Sequence, residues 1–138
     1  MKPSTANTGE ISFSVQHKIP LTRLSDLLAE AWDGGSAYWA RAIKYNEPDE
    51  WKFSTSVSHG EGHHYGHEYP LNPNGSVVIN DIEEDKNITL DWNKIQKGLK
   101  VFVEKFPQAY ADFVDENDDA GTGDMFLQCC LFGDVIYG

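Results

Sequence analysis

The chain has 138 residues, 40% of them hydrophobic, with 22 acidic against 11 basic side chains and a formal net charge of -11. That length suffices for one domain burying roughly two thirds of its unfolded surface, so no disulfide or metal staple is required. The charge disfavours general attachment to nucleic-acid backbones or anionic membranes, whose phosphates it repels, and it leaves Arg23 and Arg41 as the two guanidinium groups for an anion site.

The opening MKPSTANTGEISFSV lacks a hydrophobic signal region, and no window approaches the ~18 apolar residues of a spanning helix. A cytoplasmic protein is expected. Residues 1–9 are small and polar and predict a disordered tail, leaving 10–138 as a single domain. Ile11, Phe13 and Val15 alternate with Ser12, Ser14 and Gln16, the period of a half-buried strand that Pro20 closes. Thr22 is placed to cap a helix with apolar positions Leu24, Leu27, Leu28, Ala31 and Trp32. Gly34 and Gly35 interrupt that pattern, and Tyr38, Trp39, Ala42 and Ile43 resume it, as in one kinked helix or two joined at the glycine pair.

Trp51 to Val57 alternates as a second strand, and a long Gly- and Pro-containing loop follows. Ser76–Asn80 and Ile88–Leu90 read as a hairpin through Asp81 to Asn87. Asp91 then caps a helix striped by Trp92, Ile95, Leu99, Phe102, Val103 and Phe106, spoiled only by Gly98 and ended by Pro107. Gln108 to Phe113 is ambiguous, and the acidic loop Asp115–Asp119 leads to a last helix with Thr122 as cap candidate. That helix is apolar on most of its circumference, so it belongs in a core or a subunit interface. Cys129 and Cys130 are neighbours in this run, cannot easily bridge, and read as reduced core thiols. The order predicts an α+β domain, a small antiparallel sheet with helices packed on one face.

Three places carry candidate chemistry. His59, His63 and His67, with His64 and Glu61 between, are metal-ligand types, but glycines at 60, 62 and 66 oppose the helix that would converge them, and a flexible polar loop is the simpler expectation. Arg41 lies beside Tyr38 and Trp39, joining aromatic planes to a positive fork, the combination that stacks a base and pairs a phosphate. A packing role for Tyr38 and Trp39 is the bland alternative. The segment AGTGD, residues 120 to 124, opens the last helix with small residues whose N–H groups can receive an anion, or which Asp124 simply caps. No nucleophile constellation, GxSxG or P-loop pattern is present, so no catalytic residue is assigned.

AWDGGSAYWARA together with the terminal GDMFLQCCLFGDVIYG resembles small phage and prophage proteins, and within them the first type of Thoeris anti-defence protein. The resemblance covers about thirty positions in two blocks. It implies a non-enzymatic sponge, without cofactor or metal, that sequesters a cyclic nucleotide immune signal, glycocyclic ADP-ribose, with cyclic oligonucleotides as further ligands. It also implies a homo-oligomer, from dimer to hexamer, with pockets between subunits, acting in the cytoplasm of an infected bacterial host. The implied ligand-binding set is Tyr38, Trp39, Arg41, Trp92, Asn93, Thr122, Gly123 and Asp124. The chain departs from the family at Gly123, where a hydroxyl or alanine is typical, and at Asp119 and Ala120, which stand where an arginine is expected. The alternative from charge alone is an acidic protein-binding inhibitor, a DNA mimic of a host defence nuclease.

Overall fold

The structure, a computed structural model, describes residues 9–55 and 64–138. Helix α1 (Leu21–Glu30) buries Leu24, Leu27 and Leu28 at the spacing of three and four that the sequence shows. Pro20, not Thr22, holds its cap position. The ring's fixed φ of -60° suits a helix entry, and the Pro20 carbonyl accepts from the Arg23 and Leu24 amides at 3.0 and 3.3 Å.

Beyond α1 the chain widens into a single π turn, Ala31–Gly35, and the helix stops because Gly34 has φ 145°. No second helix follows. Tyr38 and Trp39 lie in a turn and strand β1 (Ala40–Asn46) begins, which corrects the helical reading of Tyr38, Trp39, Ala42 and Ile43. The spacing is deceptive because Ala40 and Ala42 alternate inward, opposite Asp81 and Ile79 of β2 (Ser76–Asp81). Ile43 is the extra residue of a bulge between Ala42 and Lys44, which interrupts the ladder on an outer strand, a common protection for a sheet edge. β2 returns through a tight turn at residues 82–85 into β3 (Lys86–Asp91), giving a three-stranded antiparallel sheet of order β1-β2-β3.

Asp91 caps α2 (Trp92–Lys105) as expected, its carboxylate accepting from the Lys94 amide at 2.9 Å. Pro107 opens α3 (Pro107–Val114), which resolves the ambiguous stretch, since proline suits the first turn of a helix. In α4 (Ala120–Phe132) the cap is Asp119, three residues before Thr122. The Thr122 amide donates to the Asp119 carboxylate at 3.0 Å, and the Thr122 hydroxyl accepts from the Asp119 amide at 3.1 Å, a reciprocal capping box.

Two expected strands do not form. Ile11 to Val15 joins no ladder among the described residues, and its apolar side chains are exposed. Trp51 to Thr55 is irregular, held by side chains rather than a ladder, while residues 56 and 57 lie outside the described residues. Most of the predicted tail also lies outside them.

The fold is α+β, with helices over one face of the sheet, from which Val77, Ile79 and Leu90 point into the core. α4 is the central element, packed between α1 and α2 and touching the sheet. Each crossing has a glycine. A methyl on Gly98 would fall 2.5 Å from Cys130, and one on Gly123 would fall 2.6 Å from the Leu27 carbonyl oxygen. Gly98 is therefore the contact point of α2 with α4. Among the described residues no helix is long and apolar enough to cross a membrane.

Candidate functional site

The Asp124 carboxylate projects from the first turns of α4 into the turn that joins α1 to β1. One oxygen accepts from the Ser36 hydroxyl at 2.8 Å and the Trp39 indole at 2.7 Å. The other accepts from the Tyr38 hydroxyl at 2.6 Å and the Gln128 amide at 3.2 Å. Four donors satisfy this buried carboxylate within the chain. Trp39 is wholly buried, its ring 5.3 Å from Phe132 and 5.4 Å from Tyr137, so neither of its faces is free to stack a ligand. Tyr38 is half exposed, and burial, followed by its bond to Asp124, pushes its phenol up to about 12.

Gln128, one helical turn after Asp124, extends the network to the chain end. Its carbonyl oxygen accepts from the Ile136 and Tyr137 amides, both at 2.8 Å, and its amide reaches the Tyr137 carbonyl at 3.3 Å. The chain can fold back because Gly133 takes the left-handed conformation, φ 70°, that ends α4. The Tyr137 hydroxyl then lies 2.7 and 2.9 Å from the two oxygens of Asp81, which also receives the Glu83 amide of the hairpin turn at 3.0 Å. The two sequence blocks, AWDGGSAYWARA and GDMFLQCCLFGDVIYG, are thus two halves of one clasp.

Thr122 and Gly123 are likewise engaged in the fold, the first in the capping box and the second at the α1 crossing. The start of α4 already has a carboxylate, that of Asp119. The open hollow outside it, of about 600 Å³, is bordered by Asp112, Asp119 and Asp124, an acidic setting for any anion. Nearby, Arg23 donates to Asp118 at 3.1 Å and to the Phe113 carbonyl at 2.6 Å and lies over the Phe113 ring. Glu30 faces the same cluster with one buried oxygen that accepts no hydrogen bond among the described residues. Burial, then the neighbouring Asp118 and Asp119 charges, push its carboxyl up to about 8.

Arg41 is placed differently. It is exposed on β1 opposite Asn80, forms no ion pair among the described residues, and contributes to the wall of a hollow of about 270 Å³. The aromatic residues that line the same hollow are Trp32 and Tyr45, not Tyr38 and Trp39. The Trp32 indole donates to the Tyr45 hydroxyl at 3.4 Å, and the Tyr45 ring is fixed by Tyr69 at 5.2 Å and by Gly66, where a methyl would fall 2.4 Å from it. Ala37, Ala40 and Ala42 keep the hollow open because their side chains are short. Sequence spacing missed Trp32 and Tyr45, which lie thirteen residues apart across the Gly34 turn. The alternating alanines of β1 were the available signal.

Trp92 and Asn93 lie elsewhere, in a shallow polar hollow with Thr89 and Ser76 at the β3–α2 junction. Of the histidine loop, His59, Glu61 and His63 lie outside the described residues. His64 stacks on Trp51 at 3.6 Å, and the His67 Nε2 is 3.1 Å from the Ser25 hydroxyl, with burial lowering its pKa. Glu68, fully buried, accepts from the Thr55 hydroxyl at 2.7 Å and amide at 3.0 Å. Among the described residues no group of His, Cys, Asp and Glu side chains has metal-holding geometry. Cys129 and Cys130 are free and buried, and burial pushes the Cys129 thiol up to about 12.

No family model matches the chain, and no curated protein or solved structure shows significant similarity to it.

Proposed function

We propose that the protein is a non-enzymatic sponge that binds a small cyclic nucleotide signal, of the cyclic ADP-ribose class, without cleaving it. It would thereby keep the signal from a bacterial immune effector in an infected cell. The supporting observation is the hollow to whose wall Trp32, Arg41 and Tyr45 contribute, with Tyr45 held by Gly66 and Tyr69 and Arg41 without a carboxylate partner among the described residues. Stacking a base and pairing a phosphate needs these two kinds of group within one ligand length. The volume is slightly below the ~300–1,000 Å³ of pockets for drug-sized ligands, so the hollow takes the base or phosphate end rather than a whole ligand.

The test is retention. The protein is incubated with the cyclic product of an activated TIR enzyme, freed of unbound ligand and heated, and the released molecules are weighed by mass spectrometry. Intact signal is expected. Altered product would mean an enzyme, and no retained nucleotide would overturn the proposal. A nuclease held instead in a salt-sensitive complex would favour the acidic mimic. Arg41→Ala should weaken binding by about 1.5–3 kcal/mol, at least about tenfold, through loss of a charge-assisted contact. Unchanged affinity on titration calorimetry would remove Arg41 from the site.

A further inference from the structure

Carboxylates outnumber cations where α1 meets the loop between α3 and α4. Arg23 is the one basic residue of α1, and its guanidinium is taken by Asp26 at 3.3 Å, Asp118 at 3.1 Å and the Phe113 carbonyl at 2.6 Å. Asp26 is on the surface, whereas the Asp118 side chain is only 5% exposed. Glu30 lies two turns further along α1 and is enclosed by α4 and the π turn. A methyl on Gly123 would fall 2.7 Å from its Cβ, and one on Gly35 would fall 2.9 Å from its carbonyl oxygen. The Glu30 Oε2 is buried and accepts no hydrogen bond among the described residues, while the carboxyl group lies within hydrogen-bond reach of the Asp118 carboxylate.

Two carboxylates that close, away from water, are not both charged, since like charges at hydrogen-bond distance repel strongly. One proton turns the repulsion into a charge-assisted O–H to O⁻ bond. The charged groups facing Glu30 are Arg23 on its own helix and Asp118 and Asp119 on the loop, and α4 presents Gly123. Arg23 settles which carboxyl keeps the proton. Burial works against charge on Asp118, but the bonds from Glu30 and Arg23 outweigh it and hold Asp118 below the ordinary carboxylate range. Burial, then Asp118 and Asp119, act on Glu30 in the opposite direction.

We propose that Glu30 and Asp118 hold one proton between them, and that this proton latches the α3–α4 loop, residues 115–119, onto α1. When the proton passes to solvent, two carboxylates face each other across a single guanidinium, and one of them must move. Glu30 cannot, because the Gly123 crossing and the π turn hold its backbone. Asp118 can, because it sits in irregular chain between two helices. Its neighbours Asn117 and Asp119 border the hollow of about 600 Å³ outside α4, so the latch sets one wall of that hollow. The capping box of Asp119 with Thr122 limits how far the movement runs. The Arg41 hollow shares none of these residues, so the latch goes beyond the proposed ligand function and stands or falls separately.

Nuclear magnetic resonance of the full chain, following side-chain carboxyl carbons and backbone amides from about pH 6 to about pH 9, tests it. The Glu30 carboxyl is expected to titrate at about 8, and the amides of residues 115–119 to shift with the same midpoint. Glu30→Gln should hold those amides at their low-pH positions throughout, because its amide donates to Asp118 and does not titrate. Asp118→Asn should lower the Glu30 midpoint by at least about one unit, a change that altered packing alone would not give. The wild-type titration decides without any variant. A Glu30 carboxyl already ionised at pH 6 would overturn the shared proton. Loop amides that stay in place while Glu30 titrates, or that move with an unchanged midpoint in Glu30→Gln, would overturn the latch.

Discussion

Asp124→Ala removes the acceptor of four donors and should be among the most destabilising single substitutions in the chain. Three of those donors, on Ser36, Trp39 and Gln128, belong to buried residues. The Ser36 hydroxyl can rotate, and the Gln128 amide keeps the Tyr137 carbonyl at 3.3 Å. The Trp39 indole, fixed between Phe132 and Tyr137, has no second acceptor among the described residues. A buried donor left without a partner costs about 1–3 kcal/mol. Taking the full cost for Trp39 and part of it for the others gives about 3–5 kcal/mol, a large share of the ~5–15 kcal/mol typical of a domain. Asp124→Asn keeps one oxygen for two donors and turns an amide toward the other pair, so a loss of about half that size is expected. Urea unfolding, followed by tryptophan fluorescence and circular dichroism, measures both variants. Trp39→Phe made in the wild-type and Asp124→Ala backgrounds then gives the coupling. A loss below about 1 kcal/mol for Asp124→Ala, or additivity within about 0.5 kcal/mol in the cycle, would refute the clasp as a unit.

Gly123→Ala should destabilise by about 2 kcal/mol despite alanine's better helix propensity, since the methyl would fall 2.6 Å from the Leu27 carbonyl oxygen and 2.8 Å from the Ala31 amide nitrogen, which are backbone atoms. A raised melting temperature would show that α1 and α4 are not held at that distance. Glu30 gives a pH dependence. Its folded pKa of about 8 exceeds its ordinary 4.5, so between those values the folded state binds more protons than the unfolded state, and stability falls as pH rises through the window, levelling off above about 8. Glu30→Gln should match wild type near pH 4.5 and exceed it increasingly up to about pH 8, the difference then levelling off. A constant difference across that range in urea unfolding would place the titration elsewhere.

The parts of the fold that were legible are those whose causes lie within one element. The β2–β3 hairpin, the Asp91 cap and the stripes of α1 and α2 depend on spacing and on residues a few positions apart. Where the deciding partner is distant, local pattern misled. Gly98 looks like a flaw in α2 until Cys130, thirty-two residues on, occupies the space its missing side chain leaves. Tyr38, Trp39, Ala42 and Ile43 have helical spacing, but Gly34 at φ 145° ends the helix before it could use them. Ile11 to Val15 alternates as a strand does, yet nothing among the described residues pairs with it. Arg41 was legible as an available guanidinium because only Arg23 competes with it and Asp118 takes Arg23. The aromatic residues that share its hollow were not, since Trp32 lies in the π turn after α1 and Tyr45 near the end of β1.

The clasp also bears on how function can be inferred for a chain of this kind. Ser36, Tyr38 and Trp39 in one block, and Asp124, Gln128 and Tyr137 in the other, form hydrogen bonds that the fold needs whether or not a ligand is bound. A sequence that shares both blocks therefore shares the geometry by which α4 and the chain end grip the β1 turn. That geometry sets the backbone at Ala37, Ala40 and Ala42 and so shapes the hollow, while under the proposed function its ligand would be selected by Trp32, Arg41 and Tyr45, side chains outside the clasp. Exchange at those three positions should change the ligand and leave stability nearly intact, because Arg41 and Tyr45 are exposed and Trp32 only partly buried. Exchange at Asp124 should do the reverse, lowering stability first and binding only through the loss of fold. Measuring both quantities on both kinds of variant separates the scaffold from the site. A clasp variant that kept full stability but lost ligand would mean that Asp124 itself contacts the ligand.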